Sequence, residues 1–246
     1  MKKEVFQKPA IKLLGILFLT SMAFGNIFHN DFVTDDYVYI VDWPLIQNLV
    51  SLPRFFVGYI PPDGEAGIYS PLKTLFHGFN YHLWKDHVVG YHAVALLIHF
   101  WGIVMVYLIV RRLIASARVA LLTALFFALH PVHGEAVTSM TASVDTLGIV
   151  FLLTAFYFYL AAAGCRQKFS SGWAIAEDNK TPAAVNEDPV FLRRSCHAAW
   201  LFSGLAIFTN ELALSLPLLF LFYDVLFGRK ESWGIKARRL APVFAV

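Results

Sequence analysis

The stretch GYHAVALLIHFWGIVMVYLIV, residues 90–110, holds no acid, lysine or arginine, and Arg111 and Arg112 follow it directly. A helix rises about 1.5 Å per residue, so a run of this length crosses the roughly 30 Å hydrocarbon core of a bilayer once. Basic residues are retained on the cytoplasmic side, which puts the arginine end there and Gly90 at the opposite face. His92 and His99 fall on one side of this helix, with His99 deep in the apolar run. An imidazole at that depth is expected to bond to a neighbouring helix rather than to catalyse.

Runs of the same character lie on both sides of this one. Residues 13–28 are apolar and follow Lys2, Lys3, Lys8 and Lys12, which reads as a first span with a cytoplasmic amino end. A cleavable signal peptide ending near Ala23-Phe24-Gly25 is the weaker reading, because further spans follow. The run 119–129 is short, is expected to begin near Ala115, and stops at His130-Pro131. Residues 146–164 form another span, ending on Arg166 and Lys168. Residues 197–227 carry Asn210-Glu211 midway and are flanked by Arg193-Arg194 and Arg229-Lys230, so they read as a hairpin of two short helices. After Arg238-Arg239 the apolar residues 240–246 look like the start of a seventh helix.

The expected fold is therefore an all-α, polytopic membrane protein with about six spans, organised as one domain over residues 1–246. Composition agrees, with 58% hydrophobic residues, 15% charged residues and a mean hydropathy of +0.59. A soluble domain carries about a quarter charged residues, so that class is excluded. The net charge of +3 is spread beside the apolar runs, which argues for a lipid-bilayer partner and against nucleic acid. The two cysteines form no disulfide or metal framework.

Two polar stretches complete the layout. Residues 165–195 read as a loosely ordered cytoplasmic loop, on the wrong side for its Asn179-Lys180-Thr181 sequon to be used. Residues 29–89 read as an outer loop. Within it Leu72, Leu75, Phe76, Phe79 and Leu83 share one helical face, ending on Tyr81 and Trp84, as in a helix lying in the headgroup plane. A shorter helix is expected within 45–57, interrupted at Pro53.

This topology gathers polar side chains at one membrane boundary: Asp31, Asp35 and Asp36 from the loop, His130, His133 and Glu135 after the third span, Asp145, and Glu211 at the hairpin tip. Ionisable groups at membrane depth are costly and tend to be paired or functional. The adjacent Asp35 and Asp36 are suited to general-base work or to a divalent cation, and equally to a solvated loop. His130-Pro-Val-His133-Gly-Glu135 is denser, but the metalloprotease pattern sets its Glu between the histidines, so no metal ligands are assigned.

Several motifs match a known family. Asp31-Phe-Val-Thr-Asp35-Asp36-Tyr-Val-Tyr-Ile40 resembles the acidic first-loop motif of the GT-C glycosyltransferase superfamily. Tyr69-Ser-Pro-Leu72 with Gly90-Tyr-His92 resembles its entry into the second span, and Ala128-Leu-His-Pro-Val-His-Gly-Glu-Ala-Val137 resembles its signature after the third. Asn210-Glu211 with Tyr223-Asp224 is similar to its hairpin and following helix. The nearest subgroup is the transmembrane and tetratricopeptide-repeat O-mannosyltransferases and their bacterial relatives.

The resemblance implies transfer of a sugar, with retention or inversion, from a polyprenyl-phosphate carrier to a protein or glycan acceptor outside the cytoplasm. It implies a base or acceptor-positioning carboxylate at Asp35 or Asp36, and a phosphate held by His130 and His133. The expected membrane is the inner membrane of a bacterium or the endoplasmic reticulum of a eukaryote. Three positions usually basic in the family are Ser70, Ser143 and Asn210 here. Either other groups, such as Lys73, Arg54 or the histidines, with or without a cation, meet the phosphate, or the chain keeps the fold for carrier binding or assembly without catalysis. Transport is the least favoured class, because no internal repeat is visible.

Overall fold

A computed structural model describes residues 4–57, 69–114, 116–163, 189–227 and Gly234. The sequon at Asn179, most of the expected cytoplasmic loop and the expected seventh helix lie outside the described residues. Within them the chain is all-α, with no strand.

The first apolar run becomes α1 (Glu4–Phe24), closed by a tight turn at Gly25–His29. The expected interfacial helix is α2 (Pro71–Trp84), with Pro71 in the first turn, where its missing N–H is no loss. Next come α3 (Val88–Ile114) and α4 (Ala117–Leu129), the latter capped by Ser116, whose Oγ accepts from the Val119 N–H at 3.4 Å. A turn at Pro131–His133 leads into the short α5 (Gly134–Thr138). Then follow α6 (Met140–Ala162), α7 (Pro189–Thr209), a turn at Glu211–Ser215 and α8 (Leu216–Leu226).

Among the described residues three helices have the length and apolarity to cross a membrane: Pro9–His29, α3 and α6. α4 with residues 131–138, bent by 49°, makes a fourth if counted as one crossing. The residues expected to form a hairpin are α7, a turn and α8, with Asn210 and Glu211 between the helices; each helix packs on α6, and neither is among the three long, apolar candidates. Helix α6 starts earlier than its apolar run because Ser139 caps it, its Oγ accepting from the Ala142 N–H at 3.2 Å. Thr141, Ser143 and Asp145 are thereby drawn into helical register at its start.

Packing centres on α6, which lies against α7 and α3, while α4 and α1 pack on the other side of α3. Tyr159 and Phe220 stack at 4.0 Å, and the Tyr159 hydroxyl donates to Asp224 at 2.6 Å, joining α6 to α8. The α7 tip reaches α6 at Gly148, where a Cβ would lie 2.5 Å from the Asn210 Cβ. Only glycine permits that approach.

His99 plays the interhelical part expected of it: its Nε2–H donates to the Ala128 carbonyl at 3.1 Å, satisfying an otherwise unpaired end of α4. His92 donates likewise to the Asn30 carbonyl at 3.2 Å, tying the first loop to α3.

Helix α2 buries polar residues along one edge. Its buried positions are Pro71, Thr74, His77, Gly78 and Asn80, whereas Phe79 and Leu83 are more than half exposed. Leu75 and Phe76 of the apolar face pack against buried clusters, so exposure on that face is concentrated at Phe79 and Leu83.

Candidate functional site

The first turns of α6 organise the site. Asp36, 1% exposed, accepts from both the backbone N–H and the hydroxyl of Thr141 at 2.8 Å, and from the Val33 N–H at 3.2 Å. A carboxylate at a helix N-terminus is favoured by the free N–H groups and the helix dipole. Asp36 thus clamps the first loop to α6. Asp35, one residue earlier, is exposed, and Thr34 before it adopts a left-handed φ of 38°. The two acids do not converge.

One helical turn along α6 from Thr141, Asp145 receives Lys73 from α2. The Lys73 Nζ donates to both carboxylate oxygens, at 2.8 and 2.9 Å. The Asn210 Nδ2 approaches the same carboxylate at 3.5 Å, while its Oδ1 caps the tip turn by accepting from the Leu212 N–H at 2.9 Å. Ser143, two residues before Asp145, donates to the Met140 carbonyl at 2.6 Å, and Ser70 lies at the start of α2. Of the three positions where the resembled family usually carries basic residues, Asn210 is the one in contact with the Lys73–Asp145 pair. Its side chains are 24% and 43% exposed, so a ligand can reach it.

His130, His133 and Glu135 form a second group. The His130 Nδ1 accepts from the Val132 N–H at 3.2 Å as a turn cap, and its ring is exposed. His133 packs 4.3 Å from Phe127 and 5.3 Å from His99. Glu135 is exposed, as is Glu211 at the hairpin tip. Among the described residues no hydrogen bond or ion pair joins this group to Lys73 or Asp145, and no three His, Cys, Asp or Glu side chains converge as metal ligands.

Sequence reasoning passed over the inner edge of α2. His77 and Asn80 are 2% and 4% exposed, and the His77 Nε2, Asn80 Oδ1 and Trp84 Nε1 have no hydrogen-bond partner among the described residues. Burial, with the Lys73 charge adding to it, pushes the His77 pKa down to about 3, so the ring is neutral at physiological pH. The missed signal was the repeat Lys73, His77, Asn80, Trp84, on a face about a third of a turn round the helix from Phe79 and Leu83.

An all-α membrane chain with acids and a cation drawn to one helix end is the class that fold and site define. Comparison with known proteins finds sequences similar to this one. Residues 70–176 match the family model described as dolichyl-phosphate-mannose-protein mannosyltransferase. The protein O-mannosyl-transferase F38B6.6 of Caenorhabditis elegans is 28% identical over 68% of this chain and 26% of its own length. The human protein O-mannosyl-transferase TMTC4 is 32% identical over 57% of this chain and 22% of its own length. The mouse protein O-mannosyl-transferase TMTC3 is 35% identical over 61% and 17%. No solved structure matches the chain. The chain is similar to these O-mannosyl-transferases, and it spans about a quarter or less of the length of the relatives named.

Proposed function

We propose that this chain carries the donor-side catalytic shell of a glycosyltransferase that moves mannose from a polyprenyl-phosphate carrier to a hydroxyl acceptor on the non-cytoplasmic face. In this reading the amino end is cytoplasmic, the chain crosses the membrane about six times, and the Asp35, Asp145 and Glu211 ends face outward. The observation that carries it is the docking of the acidic loop, through Asp36, and of Lys73, through Asp145, one turn apart on α6.

The division of labour follows from exposure. Asp36 is occupied as a clamp, so Asp35 is the carboxylate available to take the acceptor hydroxyl proton. As the C1–O bond to the carrier phosphate breaks and the bond from C1 to the acceptor oxygen forms, charge develops on the phosphate. Lys73 is placed to receive it, exchanging Asp145 for the stronger anion, with the exposed His130 ring as a second donor. Glu135 and Glu211 remain at the rim, where an acceptor would approach.

A radiolabel-transfer assay in membranes tests the reading: Asp35→Asn should abolish transfer of mannose from polyprenyl-phosphate mannose while protein level stays normal. Equal transfer by Asp35→Asn and the unaltered chain would refute the assigned base. The second reading, a carrier-binding shell without catalysis, draws on Lys73 being already neutralised by Asp145. It predicts carrier binding with no transfer by the unaltered chain.

A further inference from the structure

We propose that the buried edge of α2 formed by His77, Asn80 and Trp84 is a sugar subsite that takes the hydroxyl groups of the donor hexose, next to the phosphate position at Lys73. This rests on the donor reading above and adds to it where the sugar is recognised.

Three observations converge on it. The buried orphan atoms Nε2 of His77, Oδ1 of Asn80 and Nε1 of Trp84 sit at spacings of three and four residues, so they line one face of one helix. A single orphaned polar atom is an ordinary packing defect or a water site. A row of them is a polar surface awaiting a partner, because leaving buried donors and acceptors unpaired is unfavourable. Lys73 lies on the same face one turn before His77, about 6 Å along the axis, which is comparable to the width of a hexose ring. The row then leads toward the first loop, since Trp84 packs in the cluster that contains Phe32 and Tyr91.

The chemistry of the row selects the ligand class. The Asn80 Oδ1 needs a donor, the Trp84 Nε1–H needs an acceptor, and the neutral His77 Nε2 takes either role according to its tautomer. A hydroxyl group both donates and accepts, so a polyol satisfies all three. An anion does not, because it cannot donate to Asn80 and gains nothing from an uncharged His77. Burial keeps that ring neutral. Charge recognition is thus confined to Lys73, and the remainder of the edge fits an uncharged, hydroxyl-rich group. The orientation of α2 is what makes this available: Phe79 and Leu83 are exposed, while His77 and Asn80 are turned into the protein.

The test compares two probes on the purified full chain in detergent: a short-chain polyprenyl phosphate and its mannosyl derivative. Asn80→Leu and His77→Phe each remove an orphan without creating another, so both variants should keep or raise the Tm. Each should bind the sugar-free carrier like the unaltered chain and bind the mannosyl carrier at least tenfold more weakly. Lys73→Gln should weaken both probes alike. If the unaltered chain binds neither probe, the donor reading fails and the subsite falls with it. If it binds both, and the two variants leave the ratio of affinities unchanged, the edge holds water only and the subsite alone is overturned. Should either variant lose its thermal transition, Asn80→Ser, which shortens the acceptor in place, supplies the same ratio.

Discussion

Asp36 accepts three hydrogen bonds at 1% exposure, while its neighbour Asp35 meets solvent. Asp36→Asn turns one acceptor into a donor facing either Val33 or Thr141, and should cost about 1–3 kcal/mol, read as a lowered Tm. Asp35→Asn should leave the Tm in place. His77 sets a pH dependence whose sign follows from its depressed pKa. The unfolded chain binds a proton near 6.5, whereas the folded chain resists it down to about 3. Stability is therefore full above pH 6.5 and falls progressively as the pH drops toward 3. Thermal melts at neutral pH and at pH 5 should show this slope, and His77→Gln should flatten it. The partly exposed Lys73–Asp145 pair is a weak strut by comparison, with a coupling of under about 1 kcal/mol expected from a double-mutant cycle in Tm.

Between elements, the decisive contacts are short-range packing at α6. Gly148→Ala would set a Cβ 2.5 Å from the Asn210 Cβ and 3.3 Å from its backbone nitrogen. The α7 tip must then move, and we expect a loss of about 1–3 kcal/mol, with Asn210 withdrawn from Asp145. A Tm unchanged by this substitution would show that the tip is not held against α6. The elements themselves were largely legible from pattern: the apolar run at 90–110 is α3, and the tip at Asn210-Glu211 separates α7 from α8. The start of α6 was placed too late, because hydropathy marks where a helix becomes apolar and not where a serine caps it. The orientation of α2 was legible only in part. Periodicity identifies an apolar edge, but the use of the polar edge depends on what packs over it.

Across the whole molecule, topology is the property that links site to function. Cysteines introduced at exposed Asp35 and Glu211 should react with a membrane-impermeant maleimide from the non-cytoplasmic side of sealed vesicles, and one at Arg111 should not. Labelling of Asp35 and Glu211 from opposite sides would refute a shared face. Sequence alone determined the membrane class, the all-α fold, the family resemblance and the short list of acids and histidines, because each is written in local composition and spacing. Tertiary structure decided which of those residues meet. The Lys73–Asp145 pair spans 72 residues of chain and the Asp36–Thr141 clamp spans 105, distances over which no periodic signal survives. It also sorted Asp35 from Asp36 and revealed the unpartnered edge of α2. Burial is a property of what surrounds a side chain, and that is settled only when the helices have packed.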